Sequence, residues 1–352
     1  MAVNFILQWL PLPAVVKALG LAPVNVLSYS PDSELSEKAA LVAKVGKQEG
    51  EGSLFQPKIH PLVDQISREV NDYFLQHWAF EDERARKKFI AAGFSKVTCL
   101  YYPLALNDRI HFACRLLTLL FLVDDLLEDM SMDEGSAYNE RLIVLSRGNV
   151  LPDRSIQVEW ITYDLWESMR AHDKVLADEI LEPVFTFMRA QTDKVRLSIK
   201  GLGNYLEYRD GDVGKALLSA LMRFSMNLQM ADTELTAVTL VEKNCSKHIS
   251  VINDIYSWEK ECRQAQSGHH EGSALCSSVQ VTAEETTLSH DAAKRVLFSM
   301  CREWERVHAE LVAAAMAAGC SRDLKAYLKG VEYQMSGNEE WSRTTPRYHS
   351  VK

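Results

Sequence analysis

The sequence predicts an all-α, single-domain helical bundle, and three observations carry that prediction. Apolar residues recur at helical spacing in segment after segment, from HPLVDQISREVNDYFLQHW (60–78) to AYLKGVEYQMSGNEEW (326–341). Alternating runs bounded by turn pairs, the mark of strands, are almost absent. No repeat of fixed period appears, which argues against a stacked helical solenoid.

Composition bounds the rest. With 352 residues, 47% hydrophobic and 25% charged, the chain is globular and long enough for one large domain or two ordinary ones. Lys and Arg number 39 against 48 Asp and Glu, a net charge of −9 without a long basic run. Nucleic acid is therefore disfavoured as a partner, because phosphate-backbone binding needs concentrated positive charge. Seven cysteines, an odd number without CxxC pairs, read as reduced core residues of an intracellular, cytoplasmic protein.

Taken in order, the start MAVNFILQWLPLPAVVKALG is apolar but lacks a basic leader and is cut by Pro11 and Pro13. Its apolar run falls far short of the roughly 20 residues a spanning helix needs, so it is expected to be an arm rather than a membrane anchor. GKQEGEGS (46–53) reads as linker, which makes residues 1–57 an N-terminal arm and 58–352 the folded domain. Helices follow through ARKKFIAAGFSKVTCLYYP (85–103) and DRIHFACRLLTLLFLVDDLLEDM (108–130), with breaks at MSMDEGSAYNE, RGNVLPDRS and QAQSGHHEGSALCSS.

The helix that reaches Asp124 is apolar almost all round from Phe112 to Val123, apart from Arg115 and Thr118, and should be buried on most faces. It runs without a turn into Asp124, Asp125, Glu128 and Asp129. Asp124 and Glu128 share one helix face, and Asp125 and Asp129 a second about 100° round. Like charges at that spacing repel, and a helix C-terminus is already negative. A divalent cation relieves both penalties, and oxygen ligands suit Mg²⁺. A solvated acidic helix end is the ordinary alternative; the apolar approach favours metal.

A second constellation lies in NDIYSWEKE, where Asn253, Ser257 and Glu261 recur at four-residue spacing. They drift only about 40° per step and present oxygen along a line about 12 Å long. An amide, a hydroxyl and one carboxylate bind Mg²⁺ poorly alone but well once a diphosphate completes the sphere. A polar stripe on an exposed helix would look the same; pairing with the first cluster is what gives the pattern force.

Together, DDLLED and NDIYSWEKE resemble the metal motifs of class I terpene synthases. The likeness extends through RIHFACRLLTLLFLVDDLLED, LPDRSIQVEW, GNYLEYRDGDVGKALLSALMRFSM and NCSKHISVINDIYSWEKE, over roughly residues 58 to 350, to the fungal aristolochene synthases. The resemblance implies a class I terpenoid synthase bundle that ionises farnesyl diphosphate with three Mg²⁺ ions. It is expected to be a carbon–oxygen lyase that closes a germacrene-type ring, then a bicyclic hydrocarbon such as aristolochene, and releases diphosphate. It implies that Asp124 holds two metals, with Asp125 and Glu128 in support, and that Asn253, Ser257 and Glu261 hold the third. Arg209, Lys260, Arg347 and Tyr348 match the diphosphate donors, and Tyr101, Phe121, Phe187 and Trp341 the pocket aromatics.

The chemistry fits those assignments. A leaving diphosphate needs metal and cationic donors, among which guanidinium offers a planar bidentate fork. A carbocation needs dry walls, and an aromatic face stabilises it by roughly 0.5–2 kcal/mol. Phe121 precedes Asp124 by one helical step and so should lie below the metals. No His or carboxylate stands out as a base; Tyr101 and the diphosphate itself are the options for proton handling. Gly268 and Gly272 mark a lid over the site or an inert surface loop.

GLG at 201–203 lacks a preceding strand and is set aside as a nucleotide turn, and Cys245 with His248 lacks a second ligand pair for zinc. Two rivals remain: a prenyl-chain elongating enzyme, which would carry a second aspartate-rich motif where NDIYSWEKE stands, and a non-catalytic helical scaffold. Homo-oligomerisation is left open.

Overall fold

The computed structural model describes residues 52–317 and 319–349, and among them every regular element is a helix. The N-terminal segment up to residue 51 lies outside the described residues, and with it most of the expected arm. The first helices are α1 (Val63–His77), α2 (Glu83–Ala92), α3 (Phe94–Tyr101) and α4 (Ile110–Leu127). They are followed by α5 (Met132–Ser146), α6 (Gln157–His172), α7 (Lys174–Gln191), α8 (Leu202–Asp212) and α9 (Lys215–Met226). The last are α10 (Asp232–Ala237), α11 (Thr239–Ser267), α12 (Ser278–Thr286), α13 (His290–Ala317) and α14 (Arg322–Thr344).

Local chemistry sets several of the helix starts. Asp82, Asp173 and Ser321 cap α2, α7 and α14 by accepting a backbone N–H three residues on. Ser131 and Glu134 form a reciprocal capping box that starts α5 directly after the acidic end of α4. The turn between two helices at the site is therefore short and fixed.

Packing places α4 in the interior, as its all-round apolar surface requires: twelve of its residues are buried, Ile110 through Leu127. It lies against α1, α3, α6 and α9. The long helix α11 packs along both α13 and α14. One large core joins residues such as Phe74, Val97, Leu119, Leu165, Ile180 and Leu221, and a smaller one behind α11 joins Val251, Trp258, Leu297 and Cys301. Buried apolar side chains of this size each contribute roughly 1.5–3 kcal/mol, so two carboxylate-bearing helices can be held by the apolar remainder of their surfaces.

Contacts of the bundle begin ahead of residue 58. Ser53 Oγ and the Leu54 N–H both donate to the Glu305 carboxylate, at 2.9 and 2.7 Å. All seven cysteines are free thiols; four are buried, while Cys262, Cys276 and Cys320 are half-buried. Among the described residues no helix is long and apolar enough to cross a membrane. Gly201 opens α8 at φ 81°, with no strand before it.

Candidate active site

A cavity of about 230 Å³ opens between α4, α7, α8, α9, α11 and the end of α14. On α4 it is lined by Leu117, Leu120, Phe121, Asp124, Leu127 and Glu128, a helical face in which apolar residues precede acids. The hydrophobic part is continued by Tyr101, Phe187, Leu217 and Leu218. Asn253, Lys260 and Glu261 of α11, with Arg209, Arg347 and Tyr348, supply the polar part. The two motifs thus face one space.

At the end of α4, oxygen atoms of Asp124, Asp125 and Glu128 come within 4.8 Å of one another. Their surroundings differ. Asp125 is held by Arg347, whose Nη2 and Nη1 donate at 2.6 and 3.3 Å. Burial works to raise the Asp125 carboxyl, but the Arg347 guanidinium outweighs it and holds the group below its ordinary range. Glu128 accepts from Lys260 Nζ at 2.9 Å and from Gln264. Among the described residues the one side-chain donor to Asp124 is neutral, Gln191 Nε2 at 2.8 Å. Burial first, then the charges of Glu128 and Asp125, push its carboxyl up to about 6. Asp129 is exposed and lies in the turn beyond the end of α4.

On α11, Ser257 Oγ donates to Glu261 Oε1 at 2.5 Å. Burial, and then the nearby Asp254 carboxylate, push Glu261 up to about 7. Asn253 donates to the Tyr348 hydroxyl at 2.7 Å, and its carbonyl oxygen accepts from Arg209 Nη2 at 3.1 Å. Arg209 is paired in addition with Asp212 and, at 3.3 Å, with Asp254. Among the described residues, Asp124 and Glu261 are therefore the cavity-lining motif carboxyls without a cationic partner in contact. That is the state expected of groups kept for an added cation, and the hard oxygen donor set fits a divalent ion.

The aromatic residues fall into two groups. Phe121 stacks on Phe94 at 4.5 Å with rings 10° from parallel, and Tyr101 donates its hydroxyl to Asn338 Oδ1 at 2.8 Å. Phe187 meets Gly214, where φ is 71° and an added Cβ would lie 3.0 Å from the ring. Trp341 does not line the cavity. It lies behind Phe121 and Tyr348, at 6.0 and 5.3 Å between ring centroids, with its indole N–H on the Ala92 carbonyl. It supports the wall from outside.

The loop after α11 reaches back across the acidic end. Gly272 N–H donates to Met130 O at 3.0 Å, and Glu271 accepts from the Met132 N–H at 3.0 Å. Ser273, Ala274, Leu275 and Cys276 line the cavity from this side. His269 and His270 stay exposed.

Residues 115–306 match the family described as terpene synthase family 2, C-terminal metal binding. The chain belongs to the terpene synthase family. It is 65% identical over 300 residues to aristolochene synthase of Aspergillus terreus, a match covering 85% of this chain and 94% of that one. It is 64% identical over 300 residues to (+)-aristolochene synthase of Penicillium expansum, covering 85% and 91%. The crystal structure of aristolochene synthase from Penicillium roqueforti superposes with a TM-score of 0.76 at 58% identity, covering 84% of this chain and 99% of that one. An α-eudesmol synthase structure shares the fold at 15% identity and a TM-score of 0.71.

Sequence reasoning missed several residues of this terpene synthase site. Gln191, Arg196 and Asn338 line the cavity, and Asp212 and Asp254 fix Arg209. None sits in a spaced motif. Asp254 adjoins Asn253 and could have been found as the buried polar residue on the far side of α11, where it accepts from Tyr205 at 2.6 Å.

Proposed function

We propose that this terpene synthase is a sesquiterpene cyclase that converts farnesyl diphosphate to a bicyclic hydrocarbon of the aristolochene type and releases diphosphate. The observation that carries the reading is the pair of carboxyls, Asp124 and Glu261, that accept only from neutral donors among the described residues and face one cavity with an apolar floor. Identity above 60% to three fungal aristolochene synthases supports the product class.

In this reading the metal would be Mg²⁺, three ions being expected with diphosphate; Asp124, supported by Asp125 and Glu128, would hold metal at one side of the cavity and Asn253, Ser257 and Glu261 at the other. Mg²⁺ supplies charge neutralisation at the leaving diphosphate. Arg209, Lys260, Arg347 and Tyr348 bind the diphosphate oxygens. Each cation now sits on a carboxylate or amide of the same site, so substrate binding exchanges partners rather than importing charge. Arg209 in particular covers the Asn253 oxygen, and its transfer to diphosphate frees that oxygen as a ligand.

The allylic C–O bond then breaks, its electron pair leaving with diphosphate. Phe121, Phe187 and the Tyr101 ring face the cation without offering a nucleophile. Leu117, Leu120, Leu217 and Leu218 exclude water, which would trap the cation as an alcohol. Loss of a proton to diphosphate gives the neutral germacrene-type ring, return of a proton from diphosphate, directly or through Tyr101 that diphosphate then reprotonates, gives the bicyclic cation, and a final proton loss to diphosphate gives the neutral bicyclic hydrocarbon.

Incubation with farnesyl diphosphate and Mg²⁺, read by gas chromatography with mass spectrometry and by diphosphate release, tests the reading. A bicyclic sesquiterpene is expected. Linear elongation products would favour a prenyl-chain elongating enzyme, and neither hydrocarbon nor diphosphate would leave a scaffold.

A further inference from the structure

Arg196 lies in the short 3-10 turn Lys194–Leu197 that joins α7 to α8, and it lines the same cavity. Its Nη1 donates to the Gln191 carbonyl at 2.9 Å. Its Nε is buried and has no hydrogen-bond partner. No carboxylate lies within ion-pair distance of it among the described residues, whereas Arg209, Lys260 and Arg347 are each paired with an acid. The nearest acids are engaged elsewhere: Asp212 with Arg209, and Asp124 with Gln191.

A half-buried guanidinium at a cavity wall, with its Nε buried and no counter-ion in contact, is costly unless an anion arrives, and the Nε–Nη2 edge is the fork that fits two phosphate oxygens. We infer that Arg196 is a further diphosphate-binding residue, the one cavity cation that can take the anionic substrate without first giving up a salt bridge. It therefore acts at capture, before the paired donors exchange their carboxylates. Its bond to the Gln191 main chain ties this event to Asp124, because the Gln191 side chain donates to that carboxylate. The inference rests on the cyclase reading for the identity of the substrate but not for the binding of diphosphate.

The test uses the full chain with inorganic diphosphate and Mg²⁺, followed by titration calorimetry, alongside KM and kcat with farnesyl diphosphate. Loss of a charge-assisted bidentate contact should weaken diphosphate binding about tenfold or more in Arg196→Gln and raise KM similarly, with kcat changed less. Arg196→Lys keeps a charge and should recover part of the affinity, and it serves in place of Arg196→Gln if that variant fails to fold. A residue that merely anchors the turn would lower the melting temperature and leave diphosphate affinity unchanged; that result overturns the inference. The wild-type assay separates the two claims. A wild type that cyclises farnesyl diphosphate while Arg196→Gln and Arg196→Lys bind diphosphate normally sinks the inference alone. A wild type that binds diphosphate through Arg196 and yields no hydrocarbon sinks the cyclase reading alone.

Discussion

Arg347 clamps Asp125 with two hydrogen bonds, joining the chain beyond α14 to the end of α4 across 222 positions of sequence. The clamp makes adjacent carboxylates unequal: Asp125 is neutralised by protein, and Asp124 is not. Asp124→Asn is expected to lower kcat/KM by more than about a hundredfold, since it removes the carboxylate left for metal. Asp125→Asn should cost less than about tenfold, because an amide still fits beside the guanidinium and the freed Arg347 can reach diphosphate. Steady-state kinetics at saturating Mg²⁺ decide the point, and equal losses in the two variants would overturn the assignment of separate roles.

Tyr101 tests proton handling. Its hydroxyl bonds Asn338, itself tied to the Ile249 carbonyl at 3.0 Å, so removing the hydroxyl leaves a buried acceptor unpaired at about 1–3 kcal/mol. Tyr101→Phe is expected to divert product toward a monocyclic germacrene-type hydrocarbon, read as the product ratio by gas chromatography. An unchanged profile and rate would take Tyr101 off the proton path.

How far these features were legible follows from where the information lies. The burial of α4 is written in its own apolar composition, and the α11 stripe in fixed spacing, so both were readable along one helix. Asp129 shows the limit: helical periodicity placed it beside Asp125, but α4 stops at Leu127 and the residue turns to solvent. Trp341 was expected at the cavity wall and instead backs Phe121, with its indole N–H donating to the Ala92 carbonyl of a helix distant in sequence. Gln191, Arg196 and Asn338 are lone polar residues on separate elements. Only tertiary packing brings them to one cavity, and no spacing rule reports that.

Gly272 tests the loop across the acidic helix end. A Cβ there would lie 1.9 Å from the Leu127 carbonyl oxygen and 2.9 Å from that of Met130, backbone atoms that cannot yield cheaply. Gly272→Ala should therefore undock the loop and admit water. The expected result is a larger share of sesquiterpene alcohols among the products, with little loss of global stability because the loop carries few core residues. A Gly272→Ala enzyme with a normal hydrocarbon-to-alcohol ratio would show that the loop is inert.

His308 gives a pH prediction far from that chemistry. Its ring is buried against Phe55, edge-on at 5.5 Å, and neither nitrogen has a hydrogen-bond partner. His248 of α11, Lys215 of α9 and Glu305 of its own helix act on it, and Glu305 is itself paired with Arg302. Burial first, then the positive neighbours, push its pKa down to about 4 from 6.5. Above pH 6.5 the residue is neutral in both folded and unfolded chains and costs nothing by linkage. As pH falls from 6.5 to 4 the unfolded chain takes up the proton first, so stability drops, by roughly 3 kcal/mol at the limit. His308→Phe keeps a ring against Phe55 and removes the proton site. Urea midpoints at pH 7 and pH 5 should therefore differ less in this variant than in the wild type, provided the urea slope is unchanged. Equal losses in the two proteins would place the acid sensitivity elsewhere, with the shared Glu305 carboxylate that fastens Ser53 and Leu54 as the next group to alter.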